Sequence, residues 1–308
     1  MKLNIFKIGI ICFLAWLIFI LASQWPDDLA HIIFCDVGQG DAILIIHKNR
    51  QMLIDGGPDD SVINCLEENM PFWDRTLDFL IISHMDLDHI GGLPTVLSRY
   101  SVNIILRTIT TKKTADFEAL ETAVSRKSSH NTQILAPYVG QHLKLSHLVD
   151  SIVISPQVTY GKINADILVK TETILSDNNA QFSSIIDENI SENDRSIVLI
   201  VLFQDVRLLL TGDLEKPGEL AVLESGLTEP INIIKVGHHG SKSSSTRPFI
   251  EAFRPEIAVI SSGKNNQYNH PFPQVIDLFN ELGVDIYRTD TLGSVKFATD
   301  GSNYWRVN

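Results

Sequence analysis

Four side chains that commonly bind metal ions fall within six residues of this sequence: His84, Asp86, Asp88 and His89. They directly follow a short apolar run at residues 77–82, which is typical of a buried strand, and they precede a Gly-Gly pair. Side chains two apart on an extended segment point the same way, so the first three can converge while His89 enters the following turn. Mixed imidazole and carboxylate ligands suit Zn²⁺, Mn²⁺ or Fe. The segment therefore predicts a metal site at the carboxyl end of a strand, in preference to a solvated polar loop.

Three further polar clusters follow predicted strands. One is the glycine turn at residues 36–41, another is Asp213 after an apolar run, and the third is His238 with His239 after the strand at 231–236. Clusters at strand ends can meet at one rim of a sheet even when they are far apart in sequence. Asp213 can bridge two ions, and its alternative role is to cap the helix that follows. His238 and His239 adjoin on a turn and point to different sides, so we expect only one of them to bind metal directly.

The elements that position these clusters are mainly strands, with helices between them. The strands are predicted at 31–36, 42–47, 51–54, 77–82, 103–106, 133–136, 151–154, 196–203, 206–210, 231–236, 256–260, 284–287, 294–298 and 303–307. The helices are predicted at 61–69, 93–100, 115–126, 217–224, 247–253 and 273–282. Each half of the chain begins with a run of strands and then alternates with helices, which predicts an α+β fold with four layers, an αββα sandwich. Residues 157–193 are polar and lack periodicity, and we interpret them as an insertion.

Composition limits the class of function. The chain has 308 residues, of which 44% are hydrophobic, and this is ample for a folded core. Its net charge of −12 and its pI near 5.2 argue against a protein that coats nucleic acid with a basic surface. A local basic groove beside metal ions remains compatible with this charge, because the ions themselves attract phosphate.

The N-terminus has the pattern of a targeting segment. Lys2 and Lys7 precede residues 8–22, which carry no charge. That length lies between the core of a signal peptide and a full membrane span of about 20 residues. Because no good Ala-x-Ala cleavage site follows, residues 1–25 predict an uncleaved signal anchor, with a cleaved signal peptide as the alternative. The two lysines predict that the N-terminal side stays in the cytoplasm and that the rest of the chain lies outside it. The protein would then be anchored to the membrane, or secreted if the signal is cleaved.

The three cysteines do not form a disulfide framework by their spacing. Cys12 lies in the predicted anchor, and Cys35 lies in an apolar strand where we interpret it as a packing residue. A bridge from Cys35 to Cys65 is allowed by the extracytoplasmic compartment, but nothing else in the sequence supports it. No Cys-x-x-Cys pair is present, which excludes a zinc ribbon.

Taken together, these motifs resemble the metallo-β-lactamase superfamily and, more closely, the hydrolase domain of the ComEC family of competence proteins, which import DNA. In the superfamily's His-x-His-x-Asp-His motif, an Asp replaces the second His here. The resemblance covers residues 30–308 and rests on residues 34–42, 54–57, 193–196, 210–213, 235–242 and 269–271. It implies a metal-dependent hydrolase of the ComEC-like type, a phosphodiesterase or nuclease acting on DNA outside the cytoplasm.

The resemblance also implies a set of metal ligands for one or two divalent ions. The first ion is assigned to His84, Asp86 and the bridging Asp213, and the second to Asp88, His89, Asp213 and one of His238 and His239. The superfamily's third-motif His is absent, and residues 193–196 stand in its place. Hard oxygen ligands in place of imidazole favour Mn²⁺ or Mg²⁺ more than a pure Zn²⁺ site would.

Other residues are predicted to act on the substrate. Asp86 or Asp88 orients or deprotonates the attacking water, and His270 binds phosphate or protonates the leaving oxygen. The alternative for His270 is packing beside Pro271. Asp55 is predicted to hold neighbouring loops by accepting backbone N–H groups. The remaining assignments are substrate contacts by Asn193, Ser196, Ser241 and Lys242, and structural roles for Asp36 and Asp41 as well as Asp55.

Two alternatives to the DNA hydrolase stay open. One is a hydrolase of the same fold that acts on another phosphoester, such as phosphocholine or an envelope polymer, or on a lactone. The other is a non-catalytic metal-binding module. No aromatic groove for DNA is evident in the sequence. Because the chain shows a single hydrophobic segment, a stand-alone domain would depend on a separate channel protein for DNA uptake.

Overall fold

The computed structural model describes residues 9–16, 26–108, 110, 112–128, 132–137, 139–154 and 190–307. Residues 9–16 are helical and form α1, while the rest of the predicted anchor and residues 157–189 of the predicted insertion lie outside the described residues. Within the described ranges, no helix has both the length and the apolar character needed to cross a membrane.

The strands follow the predicted positions closely and form two sheets. In chain order they are β1 (Ala30–Phe34), β2 (Ile43–His47), β3 (Arg50–Ile54), β4 (Thr76–Ile82), β5 (Ser101–Arg107), β6 (Gln133–Leu135), β7 (Asp150–Val153), β8 (Leu199–Phe203), β9 (Val206–Leu210), β10 (Ile233–Lys235), β11 (Ile257–Ile260), β12 (Asp285–Arg288), β13 (Val295–Thr299) and β14 (Tyr304–Val307). The first sheet has the order β14-β13-β1-β2-β3-β4-β5-β6, and the second has the order β12-β11-β10-β9-β8-β7.

The longer helices also lie where the sequence predicts them. They are α2 (Ser61–Asn69), α4 (Leu93–Arg99), α5 (Ala115–Ser128), α6 (Lys216–Glu224), α7 (Arg247–Phe253) and α8 (Pro273–Glu281). Two helices of four residues, α3 (Leu87–Ile90) and α9 (Thr289–Leu292), were not predicted. Each is a single turn, which is too short to show a helical period in the sequence.

Three hydrophobic clusters show how the layers pack. Along β1, Phe34 points into the cluster between the two sheets, whereas its neighbour Ile33 points to the outer face of the first sheet. This alternation is the two-residue period of a strand. Leu66 of α2 covers that outer face, and Phe279 of α8 covers the outer face of the second sheet. Two sheets packed face to face with helices on both outer sides confirm the sandwich architecture.

A disulfide joins Cys35 to Cys65, with the two Cα atoms 5.9 Å apart. Both residues are buried among the side chains between the first sheet and its helices. The interpretation of Cys35 as a packing residue alone was therefore wrong. The bond ties the end of β1 to α2, and so it fixes the start of the glycine turn at residues 36–41 against the helical layer.

We expect the disulfide to stabilise the protein by about 2–4 kcal/mol, because it closes a long loop in the unfolded chain. The double variant Cys35→Ala/Cys65→Ala should lower the free energy of unfolding by that amount in urea titrations. Cys12→Ala is the matched control, because Cys12 is a free, exposed cysteine. Identical unfolding midpoints for the double variant and the control would contradict the bond.

Candidate metal centre

The predicted clusters meet because strands from both sheets end at the same rim. In the first sheet β3 and β4 run parallel, so Asp55 and the segment after Ile82 leave the sheet side by side. In the second sheet β9 and β10 run parallel, so Asp213 and the turn after Lys235 also leave their sheet side by side. The N–H of Ile197 donates to the Ser83 carbonyl across the sheets at 2.9 Å. The rim is therefore a seam between the two halves of the sandwich.

Four side chains at this seam could hold a metal ion: Asp88, His89, Asp213 and His239, called here the His-Asp cluster. One potential ligand atom from each lies within 4.8 Å of all the others. His89 Nε2 lies 3.3 Å from Asp213 Oδ1, and His239 Nε2 lies 3.2 Å from Asp88 Oδ2 and 3.4 Å from Asp213 Oδ2. All but Asp88 are buried, and Asp88 is partly exposed. The cluster thus offers two imidazole and two carboxylate ligands, with Asp88 on the open side.

Hydrogen bonds behind the cluster orient both imidazoles. His89 Nδ1 lies 2.8 Å from Asp55 Oδ2, and His239 Nδ1 lies 2.9 Å from the carbonyl oxygen of Ser261. A carbonyl oxygen only accepts, so Nδ1 of His239 carries a proton and its Nε2 is the free nitrogen of the neutral ring. Partners of this kind set the tautomer and direction of histidines that bind metal. Both rings therefore turn Nε2 towards the cluster.

The cluster also contains buried polar atoms that no protein group satisfies. Among the described residues, His89 Nε2 and Asp213 Oδ1 are buried without a hydrogen-bond partner. Leaving such an atom unsatisfied typically costs about 1–3 kcal/mol. A divalent ion between them would satisfy both, and the mixed nitrogen and oxygen donors suit Zn²⁺ or Mn²⁺. The residues present therefore fit a metal ion, whose identity the geometry leaves open.

Mutual charge shifts the pKa of each titratable group in the cluster. Burial opposes protonation of His239, but the carboxylates of Asp213 and Asp41 outweigh it and raise the pKa of His239 to about 9. Burial likewise opposes protonation of His89, yet Asp213 and Asp55 raise its pKa well above the usual range. For Asp213 burial favours the neutral acid, but His239 and His89 hold its pKa well below normal. Without an ion, the histidines carry the positive charge that the carboxylates require.

A buried lysine completes the charge balance, and no role for it was predicted. Lys235 is fully buried, and its Nζ contacts Asp41 Oδ2, lies 3.1 Å from the Gly212 carbonyl and 3.6 Å from Asp213 Oδ1. Burial lowers the pKa of Lys235, but Asp41 and Asp213 raise it by more. The signal in the sequence was a charged residue at the end of the apolar strand β10, since a buried charge needs a partner.

The residues assigned to a first ion do not converge in the same way. His84 Nε2 lies 4.0 Å from Asp86 Oδ2, and the other oxygen of Asp86 contacts Lys112 Nζ. Together with Asp213 they do not form a group of metal-ligand geometry within the described residues. Burial and the neighbouring His89 lower the pKa of His84 to about 4, so His84 is neutral at pH 7.

A second group of metal-capable atoms lies behind the cluster, formed by Asp41, Asp55 and His89. Its members already have protein partners, because Lys235 contacts Asp41 and the Nδ1 of His89 faces Asp55. Asp55 also accepts the backbone N–H of Ser83 at 2.7 Å, which is the kind of contact predicted for it. This group supports the cluster from behind.

The two adjacent histidines point in different directions, as expected for neighbours on a turn. Both have positive φ, 48° for His238 and 55° for His239, which is rare for residues other than glycine. His239 enters the His-Asp cluster, whereas His238 is partly exposed, with Nδ1 3.3 Å from Glu215 Oε1 and Nε2 3.8 Å from Asp213 Oδ2. Asn193 Nδ2 lies 3.5 Å from His238 Nδ1, which places both residues at the rim.

Ser196 is fully buried, and this corrects its predicted substrate contact. Its hydroxyl accepts the backbone N–H of Asp213 at 3.0 Å and therefore positions that carboxylate. Ser241 is also buried, with its Oγ 2.8 Å from that of Ser243. Lys242 is exposed and its ammonium lies 5.7 Å from the centre of the Phe272 ring. Of these three predicted contacts, only Lys242 reaches solvent.

His270 lies at the mouth of the site, with its ring 5.6 Å from that of His238. Burial and the nearby His239 and His238 lower the pKa of His270 to about 4, so it is neutral at pH 7 and is not a cationic proton donor in this state. Asp36 is exposed and accepts the Gly38 N–H at 3.2 Å within its own turn. A side chain at Gly40 of that turn would collide with the carbonyl of Asp88.

Comparisons with known proteins agree with this architecture. Residues 35–264 match the family model described as the metallo-beta-lactamase superfamily. The chain is 28% identical to ComE operon protein 3 of Bacillus subtilis (strain 168), covering 94% of this chain and 35% of that protein. It is 27% identical to Competence protein ComA of Neisseria gonorrhoeae, covering 88% of this chain and 33% of that protein. These matches confirm the predicted resemblance to ComEC-like proteins, although the chain spans only about a third of their length.

A solved structure shows the same fold. The metallo-beta-lactamase fold protein YhfI from Bacillus subtilis aligns with a TM-score of 0.50 at 8% identity, covering 90% of this chain and all of that chain. At so low an identity the similarity shows a common fold only, and the chemistry has to be argued from the residues of the site.

The shifted histidines predict how stability depends on pH. The pKa of His239 is about 9 in the folded protein against 6.5 for the free side chain. In metal-free protein, its contribution to the free energy of unfolding is fully present below pH 6.5 and is lost as the pH rises through about 9. The measurement is urea unfolding in EDTA across this window.

The control for this effect is His239→Gln, which removes the titrating ring. The wild type should lose stability relative to this variant between pH 6.5 and 9. Added Mn²⁺ should stabilise the wild type more as the pH rises, because the ion displaces bound protons. A stability difference between wild type and variant that stays constant over the window would refute the charge balance described above.

Proposed function

The chain belongs to the metallo-β-lactamase superfamily, and we propose that it is a metal-dependent phosphodiesterase that cleaves DNA outside the cytoplasm. The observation that carries this proposal is the His-Asp cluster, in which two oriented imidazoles and two carboxylates meet at an open rim. One relative is named Competence protein ComA, and the competence proteins that the sequence resembles import DNA, which supports DNA as the substrate. The alternatives, another phosphoester or a lactone, use the same cluster and differ in what lies around it.

The residues of the cluster have separable roles in hydrolysis. Asp88, His89, Asp213 and His239 would hold the ion. When bound, a divalent ion polarises a phosphoryl oxygen and makes water a stronger acid near neutral pH. Asp88 is the ligand on the open side, where a carboxylate oxygen can accept a hydrogen bond from the attacking water and orient it.

The departing oxygen needs a proton when its bond to phosphorus breaks. His238 is well placed to supply it, because its ring lies at the rim with Nε2 3.8 Å from Asp213 Oδ2. Glu215 lies 3.3 Å from the other nitrogen and fixes the orientation of the ring. Protonation of the leaving oxygen by a positioned imidazole is general acid catalysis. His270 is the second histidine at the opening, and its ring, which is neutral at pH 7, can form a hydrogen bond with the substrate.

The surroundings of the cluster favour a polynucleotide. Tyr268 is exposed, and its ring stacks on that of His270 with centroids 5.7 Å apart and planes 26° apart. Exposed aromatic rings bind single strands by stacking on bases, each worth about 1–3 kcal/mol. Lys242 and Lys264 are also exposed and belong to the two loops that carry His238 and His270. They supply local positive charge to an otherwise acidic protein.

We further propose that the catalytic domain works outside the cytoplasm, held at the membrane by residues 8–22. The disulfide between Cys35 and Cys65 supports this location, because disulfides persist in oxidising compartments. A separate channel protein would then be the partner that receives DNA.

The test is hydrolysis by the purified protein with Mn²⁺, Mg²⁺ or Zn²⁺, using single-stranded DNA and bis(p-nitrophenyl) phosphate. We expect both substrates to be cleaved. Asp213→Asn should reduce turnover by more than about a hundredfold. Loss of a residue that only orients a metal ligand typically costs about 10- to 100-fold, and loss of the ligand itself should cost at least as much. The control is Asp205→Asn, an exposed aspartate on the loop between β8 and β9, with thermal unfolding to verify that both variants fold.

Each other outcome would contradict part of the proposal. Cleavage of the small ester alone would indicate a phosphodiesterase for another substrate. Metal binding without turnover on either substrate would indicate a binding module.

A further inference from the structure

The side of the rim occupied by His84 and Asp86 differs from the His-Asp cluster in its ligands. Asp213 turns both carboxylate oxygens towards the cluster, with Oδ1 3.3 Å from His89 Nε2 and Oδ2 3.4 Å from His239 Nε2. Its Oδ1 also lies 3.6 Å from the ammonium of Lys235. Both oxygens therefore face the His-Asp cluster and Lys235, whereas no ion pair joins Asp213 to His84.

No third side-chain ligand replaces it among the described residues on that side. The resemblance puts residues 193–196 in place of the superfamily's third-motif His, and the hydroxyl of Ser196 accepts the backbone N–H of Asp213. The same hydroxyl lies 3.5 Å from Nδ1 of His84, and the hydroxyl of Ser83 lies 3.0 Å from that nitrogen. Protein metal sites normally use three or more side-chain ligands. His84 and Asp86 alone fall short of that number.

A cation of the protein itself stands at Asp86. The ammonium of Lys112 contacts Asp86 Oδ1. Two hydrogen bonds hold Lys112 and Thr110: the Lys112 N–H donates to Thr110 Oγ1 at 2.9 Å, and the Thr110 hydroxyl donates to Glu192 Oε2 at 2.9 Å. The Lys112 side chain is 38% exposed, so it lies partly at the surface of the rim.

We propose that this centre holds a single divalent ion, in the His-Asp cluster, and that the ammonium of Lys112 supplies the positive charge that a first ion would bring beside Asp86. Lysine is a compact point charge that binds phosphate oxygens well. Lys112 therefore contacts a phosphate oxygen of the substrate, a step that rests on the proposed function. The number of bound ions can be measured without any assumption about the reaction.

The ion count tests this directly. Protein loaded with Mn²⁺ and passed through a desalting column is analysed for bound manganese, and its electron paramagnetic resonance spectrum reports whether two ions lie close together. We expect one Mn²⁺ per chain and no spin-coupled pair for the wild type. Lys113→Ala, which removes the charge of the exposed neighbouring lysine, should behave as the wild type.

The informative variant is Lys112→Ala, which frees Asp86. Because His84 and Asp86 still lack a third side-chain ligand, we expect Lys112→Ala to keep a count of one in excess Mn²⁺, whereas Asp88→Ala, which removes a ligand of the His-Asp cluster, should lower the count below one. Two ions in the wild type would overturn the proposal, and so would an unchanged count of one in Asp88→Ala. The count is read whether or not DNA is cleaved, so failure of the hydrolase proposal and failure of this one are distinguishable.

A kinetic readout tests the contact with phosphate separately. Lys112→Ala should raise KM for bis(p-nitrophenyl) phosphate several-fold, whereas Lys113→Ala should leave it unchanged. An unchanged KM in Lys112→Ala would overturn the substrate contact.

Discussion

Four carboxylates meet at the seam between the two sheets, and their mutual repulsion is the constraint on which the site depends. Asp41, Asp55, Asp88 and Asp213 all lie beside His89 or His239. Buried like charges at such distances are tolerated only when cations accompany them. Lys235 is the permanent cation, and two protonated histidines provide the rest when no ion is bound. A divalent ion can replace the two protons, which couples metal binding to folding and to pH.

The sandwich is what holds these charges in place. Parallel pairs of strands, β3 with β4 and β9 with β10, end at the same rim and present their following residues to one another. The turn at residues 36–41 packs so closely on Asp88 that only glycine fits at Gly40. Its own start is fixed by the bond between Cys35 and Cys65. The rigid part of the fold thus lies directly behind the ligands, while Asp88, His238 and Lys112 lie on the open side.

Much of this could be predicted from sequence, because each strand carries its own pattern and each polar cluster follows a strand. What could not be predicted depends on distances across the fold. Adjacent histidines cannot be told apart until the backbone angles at His238 and His239 are known. The pairing of Cys35 with Cys65 and the burial of Ser196 likewise depend on packing. The helices α3 and α9 are too short to leave a periodic signal. The predicted anchor and insertion remain predictions.

Asp88, His89, Asp213 and His239 together form the one metal centre on which the proposed hydrolysis depends. The most direct test is X-ray diffraction from crystals grown with Mn²⁺, using the anomalous signal of manganese to locate the ion. We expect a peak at bonding distance from Nε2 of both histidines and from both carboxylates. A peak at Asp41 and Asp55 instead, or no peak with the four side chains paired only to one another, would contradict it.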